Sequence, residues 1–389
     1  MVATSFSCRS IPVIENSEQN FQKGRKRIFP RGDRGAGFHP LARDPKKLQS
    51  FGIEHALDFR FRARFPVPLA DPSASKRFIV AVDPAAPPPG LDGAVAAIGN
   101  FDGVHRGHMA VIERAKALAE KLGLPCVVLT FEPHPTDFFK GPNTIFRLTP
   151  RDTKAWILER LGIDGMIVIS FDKALASLPA ETFITEILLR RLGIRAVVAG
   201  YDFHFGADRS GTPAFLKQAG ERLGFAVEIV ERVPAHTDEA ASSTATRAAL
   251  EAGDVALAAR LLGHPFAIMG KVIQGQKLGR TLGFPTANLL PDPSCRLRHG
   301  IYAVRVVVGT KTYDGVASYG RRPTFDNGPA LLEAYLFDFS GDLYGETIEV
   351  LFIGWIRPEA KFDSAEALVR QMKLDEARAK EILQAPAAD

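Results

Sequence analysis

The chain has 389 residues, 46% of them hydrophobic and 24% charged, with Lys and Arg exceeding Asp and Glu by five. At about 100–200 residues per domain this suffices for two packed cores, and the absence of an uninterrupted apolar run of about 18 residues argues against a membrane span. Cys8, Cys126 and Cys295 have neither metal-type spacing nor the even count of a disulfide framework, so a soluble cytoplasmic protein is expected.

Taken from the N-terminus, residues 1–75 read as a basic extension without helical or alternating periodicity, for which disorder is expected. Residues 1–64 hold 13 Lys or Arg against 6 Asp or Glu, a balance of +7 that leaves −2 for the remainder. The basic excess is therefore local, and the rest of the chain lacks the charge footprint of a nucleic-acid-binding protein. A basic interaction tail and an over-long reading frame both account for this segment, which has no signal-peptide core or cleavage site.

Residues 76–262 read as one domain. Strand-like Val95–Ile98, Cys126–Phe131, Gly165–Ile169, Ala196–Ala199 and Ala226–Val230 alternate with helix-like Met109–Lys121, Arg151–Leu161, Ala180–Arg191 and Pro213–Leu223. Apolar strands alternating with helices predict a Rossmann-like parallel sheet with helices on both faces, its ligands at the carboxyl ends of the strands. Two short helices follow, Thr244–Glu251 and Asp254–Leu262, the second started by Asp254 as N-cap. From residue 263 to 389 the pattern becomes short strands with turns, Phe266–Gln274, Thr286–Leu290, Ile301–Val308, Thr312–Ser318, Leu331–Phe337 and Thr347–Phe352, and then the helix Ser364–Leu383. That predicts a small antiparallel β-barrel closed by a C-terminal helix.

Two segments carry chemistry. Gly99-Asn100-Phe101-Asp102-Gly103-Val104-His105-Arg106-Gly107-His108 puts two histidines and three glycines where a strand ends and a helix begins. A helix N-terminus offers unpaired N–H groups and a positive dipole end, and glycine lets a phosphate approach the backbone. In the second part of the chain, Gly279-Arg280-Thr281-Leu282-Gly283-Phe284-Pro285-Thr286-Ala287-Asn288 gives a glycine-bearing flap followed by two oxygen side chains on one face of a strand. It is not a Gly-x-x-x-x-Gly-Lys-Ser/Thr loop.

These motifs resemble those of the prokaryotic bifunctional riboflavin kinase/FMN adenylyltransferase (FAD synthetase) family, whose first domain belongs to the His-x-Gly-His nucleotidylyltransferases. The likeness continues through Thr130-Phe131-Glu132-Pro133-His134-Pro135, Gly200-Tyr201-Asp202-Phe203-His204-Phe205-Gly206 and Ser242-Ser243-Thr244-Ala245-Thr246-Arg247, and covers some three quarters of the chain. Gly315–Phe325 also resembles a family stretch, with Ser318 and Tyr319 in place of the usual Asn-Ile.

The resemblance implies riboflavin, FMN and ATP as substrates, FMN and FAD as products, Mg²⁺ as cofactor, and no nucleic-acid or membrane partner; a homo-oligomer is compatible with it. In the first domain it implies His105, His108 and Arg247 as catalytic residues. Gly99, Asn100, Phe101, Asp102, Gly103, Gly107, Ser242, Ser243 and Thr244 would bind ATP, and Asp202 and Phe203 flavin. Asp102 can equally cap the following helix, and the hydroxyls of Ser242–Thr244 can cap theirs. In the second domain the resemblance implies ATP and Mg²⁺ binding by Gly279, Arg280, Gly283, Pro285, Thr286 and Asn288, with Thr286 and Asn288 as metal ligands. Glu333, on Leu332–Leu336, becomes the candidate general base. The competing readings are an FMN adenylyltransferase with a degenerate kinase domain and a flavin-sensing or nucleic-acid-binding protein that uses the basic tail.

Overall fold

The computed structural model describes residues 13–15, 77–232, 242–275, 279, 282–321 and 329–385. Apart from Val13–Glu15 the basic extension lies outside them, and so do Arg280, Thr281 and Arg322–Phe325.

Seven parallel strands form the first sheet: β1 (Val13–Glu15), β2 (Ile79–Val82), β3 (Val95–Ile98), β4 (Cys126–Glu132), β5 (Gly165–Ser170), β6 (Ala196–Gly200) and β7 (Ala226–Val230), in the order β1-β2-β5-β4-β3-β6-β7. From β3 the chain steps one way through β4 and β5 and then the other way through β6 and β7. The switch point of the fold therefore lies between β3 and β6. Alternate residues of the central strands feed two cores. Val95, Ala97, Val128, Met166 and Val198 face one side, and Ala96, Ile98, Leu129, Ile167 and Val197 the other. Burial on both faces is why these strands read as continuous apolar runs.

Helices α1 (Arg106–Leu122), α2 (Pro135–Lys140), α3 (Arg151–Arg160) and α4 (Pro213–Leu223) lie among these strands, with a π-helical stretch over Phe183–Arg191. Helix α1 buries Val111, Ile112, Ala115, Leu118 and Ala119 at helical spacing and ends at Gly123, whose φ of +65° suits a left-handed cap. β1, β2 and α2 were not anticipated; three to six residues are too few to display a period.

Helices α5 (Ser243–Ala252) and α6 (Val255–Leu262) follow, and Asp254 caps α6 by accepting the Leu257 N–H at 2.8 Å, as its position suggested. The second sheet is antiparallel: β8 (Phe266–Lys271), β9 (Thr286–Leu289), β10 (Gly300–Val308), β11 (Lys311–Gly320), β12 (Leu331–Leu336) and β13 (Thr347–Arg357), ordered β8-β13-β10-β11-β12-β9. It curls until its edges approach, where the Ile273 N–H donates to the Asn288 carbonyl at 2.8 Å. Irregular register between β10 and β13 assists the curl. The interior takes Ala287, Leu289, Ala317, Tyr319, Leu332 and Ala334, joined by Phe146, Leu148 and the apolar faces of α5 and α6. The C-terminal helix α7 (Ala365–Gln384) packs Ala379 and Leu383 on the outer face, and Arg357 ties it down through both oxygens of Asp375, at 2.8 and 2.6 Å.

Candidate active sites

The first site is built on the turn after β3, at the switch point. Phe101, Gly103 and Val104 have φ of +47°, +90° and +45°, so the turn is tight and partly left-handed. It delivers His105 to the N-cap of α1, where Nδ1 accepts the His108 N–H at 3.3 Å. The cap of this helix is therefore His105 and not Asp102. The His105 and His108 rings stack with centroids 3.6 Å apart, and Phe101 lies 5.2 Å from His108.

Burial pushes His105 down to about 4 against the pull of the Asp102 and Asp202 carboxylates. Burial also takes His108 well below the usual histidine range, reinforced by His105, Lys154 and Arg247. Both imidazoles are thus neutral at pH 7, each with one N–H to offer. The Nδ1 atom of His108 is buried with no hydrogen-bond partner among the described residues. An orphaned polar atom beside a helix N-terminus suits a site that receives a polar ligand.

Asp102 is the hub beneath the turn. It is 2% exposed and accepts from Arg247 Nη2 at 2.6 Å and from the N–H groups of Thr149 and Leu148 at 2.9 and 3.2 Å. Burial opposes its ionisation, yet Arg247, Lys154 and the Thr149 N–H outweigh it and hold the carboxyl below its ordinary value. Arg247 also donates Nε to the Phe146 carbonyl at 2.7 Å. On α5, Ser242 caps the helix through the Ala245 N–H, Ser243 donates to the Asp102 carbonyl at 2.8 Å, and Thr244 is exposed. Gly99, Asn100 and Gly107 lie partly exposed along the same turn and the first turn of α1.

Across the switch point, the turn after β6 carries Asp202, exposed and close enough to act on His105, and Phe203, which stacks on Phe205 at 5.4 Å. Phe205, Phe183, Phe131 and Phe171 continue as a run of touching rings along the carboxyl ends of the strands.

Sequence reasoning missed Lys154. It is 1% exposed, and its Nζ donates to the Asn100 carbonyl at 2.8 Å and to Thr130 Oγ1 at 3.2 Å, with Glu132 at 3.5 Å. Arg147 pairs with Glu132 from the other side. The signal was present: Lys154 shares the buried stripe of α3 with Ile157 and Leu158, at i+3 and i+4.

The second site lies on the outer face of the curled sheet. Register places Asn288 opposite Glu333 and Glu333 opposite Ser318, with Thr286 opposite Tyr335. Directly opposed residues share a face, so Thr286, Asn288, Glu333 and Ser318 form one polar surface across β9, β12 and β11. Asn288 donates Nδ2 to the Thr286 carbonyl at 3.2 Å. Before β9 the Gly279 carbonyl accepts the N–H groups of Leu282 and Phe284 at 3.1 and 2.7 Å. A Cβ at Gly279 would lie 2.3 Å from the Phe284 oxygen, and Gly283 has φ of +86°, so both positions require glycine. Pro285 is exposed at the mouth of the strand.

Comparison with known proteins follows the same division. The FAD synthetase family matches residues 88–245 and the riboflavin kinase family residues 262–383. Relatives named bifunctional riboflavin kinase/FMN adenylyltransferase include those of Haemophilus influenzae (42% identical, covering 75% of this chain and 94% of the relative), Pseudomonas fluorescens (43%, 76% and 94%) and Escherichia coli (40%, 75% and 93%). A crystal structure from Streptococcus pneumoniae, named a macrolide-efflux protein, superposes with a TM-score of 0.68 at 33% identity, over 78% of this chain and 99% of that one.

Proposed function

This chain belongs to the bifunctional riboflavin kinase/FMN adenylyltransferase family, and on that premise we propose that it makes FMN and then FAD in the cytoplasm. The barrel domain, residues 263–389, phosphorylates riboflavin with ATP, and the α/β domain, residues 76–262, transfers AMP from ATP to FMN. Two family matches in tandem along one chain carry the reading. Among the described residues no helix is long and apolar enough to cross a membrane.

In adenylyl transfer an oxygen of the FMN phosphate forms a bond to the α-phosphorus of ATP, and the bond to pyrophosphate breaks. The nucleophile is already anionic, so no proton has to leave. The protein's task is alignment and stabilisation of charge on the phosphorus oxygens. The neutral N–H groups of His105 and His108 and the backbone N–H groups at the start of α1 serve that role, with Gly99, Asn100, Phe101, Gly103 and Gly107 shaping the approach. Ser242, Ser243 and Thr244 lie at the start of a second helix, whose N–H groups suit the remaining phosphates. Arg247, engaged with Asp102 and Phe146, holds α5 to the turn as it faces phosphate. Asp202 and Phe203 line the flavin side.

Phosphorylation of the riboflavin hydroxyl does release a proton. Glu333 accepts it as the oxygen attacks the γ-phosphorus and ADP departs. Thr286 and Asn288 offer hard oxygen donors on one face, a set suited to Mg²⁺ together with nucleotide phosphates. Mg²⁺ held there would neutralise charge on the transferring phosphate. Gly279, Gly283 and Pro285 belong to the flap over the nucleotide; Arg280, expected to bind with them, lies outside the described residues.

A time course with riboflavin, ATP and Mg²⁺, with the three flavins resolved by chromatography, tests the reading. FMN should appear first and then convert to FAD. Conversion of added FMN alone would leave the barrel degenerate, and no conversion of either flavin would overturn the assignment.

A further inference from the structure

Between α6 and β8 the chain passes from one sheet to the other through Gly263-His264-Pro265. His264 is 8% exposed, and its imidazole turns back into the first site: Nε2 lies 3.0 Å from the Gly103 carbonyl oxygen and Nδ1 2.9 Å from that of Pro265. A carbonyl can only accept and a neutral imidazole carries one N–H; in the Nε2–H tautomer the ring donates to the Gly103 carbonyl and holds it. Gly103 is held on its other side too, where its N–H donates to Thr149 Oγ1 at 2.8 Å. A Cβ at Gly103 would lie 2.9 Å from Leu148 and 3.1 Å from Leu262.

The turn needs such holding. Phe101 and Val104 occupy positive φ, a conformation that costs side-chain-bearing residues energy and persists only where the surroundings over-determine it. Gly263, at φ +84°, lies against Arg106 and Met109 of α1, where a Cβ would come within 3.1 and 2.5 Å of their side chains. The crossing peptide therefore touches both the turn that precedes His105 and the helix turn that carries His108.

We infer that His264 is a positioning residue for adenylyl transfer, acting through the Gly103 carbonyl to fix the His105–His108 pair and so linking the first site to the seating of the barrel. This rests on the reading that the first site transfers AMP to FMN. His264 contacts no reacting group in that scheme; its effect passes through the backbone. A displacement of about 1 Å in such a group costs on the order of 100-fold in rate.

The test is steady-state kinetics of both reactions in the full chain. His264→Leu keeps the volume and removes the donor. FMN adenylylation should lose kcat by about 10–100-fold, with KM changing far less and riboflavin phosphorylation staying within about twofold. His264→Gln restores an N–H donor and should recover most of that kcat. Thr149→Val releases the other side of Gly103 and should show the same split between the two reactions. The inference is overturned if both activities fall in proportion, if adenylylation is unchanged in His264→Leu, or if Gln performs no better than Leu. Should the Leu variant not fold, absence of the split in Thr149→Val overturns it as well. A wild-type chain that makes no FAD from FMN and ATP would fail the underlying reading, whereas an active wild type with indifferent variants fails this inference alone.

Discussion

The ion pair between Asp102 and Arg247 gives the most demanding test of how the first site is built. The two side chains are 3% and 14% exposed and meet at 2.6 Å, and the same carboxylate accepts the N–H groups of Leu148 and Thr149. Replacing Asp102 by Ala strands a nearly buried guanidinium, a change that costs about 3–5 kcal/mol. Asp102→Asn keeps one acceptor oxygen and the shape but loses the charge, so its cost should be about 1.5–3 kcal/mol, the worth of a hydrogen bond to a charged group. The two tryptophans, Trp156 in α3 and Trp355 in β13, allow a domain-specific readout, because a Trp355→Phe background leaves Trp156 as reporter of the first domain. Urea melts in that background should rank wild type above Asn above Ala. A cycle combining Asp102→Asn with Arg247→Met should return a coupling of at least about 1 kcal/mol, since contacting charges couple.

The pH dependence has a definite sign. Asp102 in the fold lies below its unfolded value of 3.8, so its contribution is complete above that value and is lost only as the pH falls through the lower folded pKa. The difference between wild type and Asp102→Asn should therefore be level from pH 8 to about 5 and shrink below pH 4. A coupling below about 0.3 kcal/mol, within the error of additive sites, would refute the hub role assigned to Asp102.

Other consequences can be checked with the same protein. His108→Ala should stop FAD formation while FMN accumulates from riboflavin, and equal loss of both activities in folded protein would contradict the assignment. Glu333→Gln should block riboflavin phosphorylation by about 100-fold or more while added FMN is still adenylylated, a magnitude in keeping with removal of a general base. His105 and His134 are both lowered to about 4 by burial, so the unfolded chain binds more protons between pH 6.5 and 4; folding stability should then fall with acidification by up to about 1.4 kcal/mol per pH unit for each, read from urea midpoints. Glu349 on β13 has the opposite sign: burial raises it to about 8 despite Arg160 at 3.5 Å, so it subtracts stability as the pH rises from 4.5 to 8. Glu349→Gln should be at least as stable as wild type at pH 8 and should flatten that decline.

What could be read from the chain alone depended on how far apart the cooperating residues lie. Continuous apolar runs made β3 to β7 legible and helical periodicity the longer helices, because each of those signals is complete within about ten residues. The histidines of the first site were legible for the same reason, since the turn, the cap and the stacked pair all fall within Gly99–His108. The support of that turn was not. Lys154, Thr149, Arg247 and His264 reach it from α3, the strand-to-helix connection before it, α5 and the crossing peptide, at separations of 46 to 161 residues. His264 in particular lies where the two sequence patterns meet and belongs to neither period. In the second site the candidate residues could be named from the sequence, but not their alignment: Asn288, Glu333 and Ser318 share a row only because β9, β12 and β11 pair in one register, and a slip of one residue would turn any of them to the interior. Ser318, singled out as a departure from the usual Asn, thus sits directly across from the candidate base. A shorter side chain there changes what can reach Glu333, so Ser318→Asn should act on riboflavin phosphorylation and leave FMN adenylylation alone. A parallel change in both rates would place the influence of Ser318 in the common fold rather than in the row it shares with Glu333.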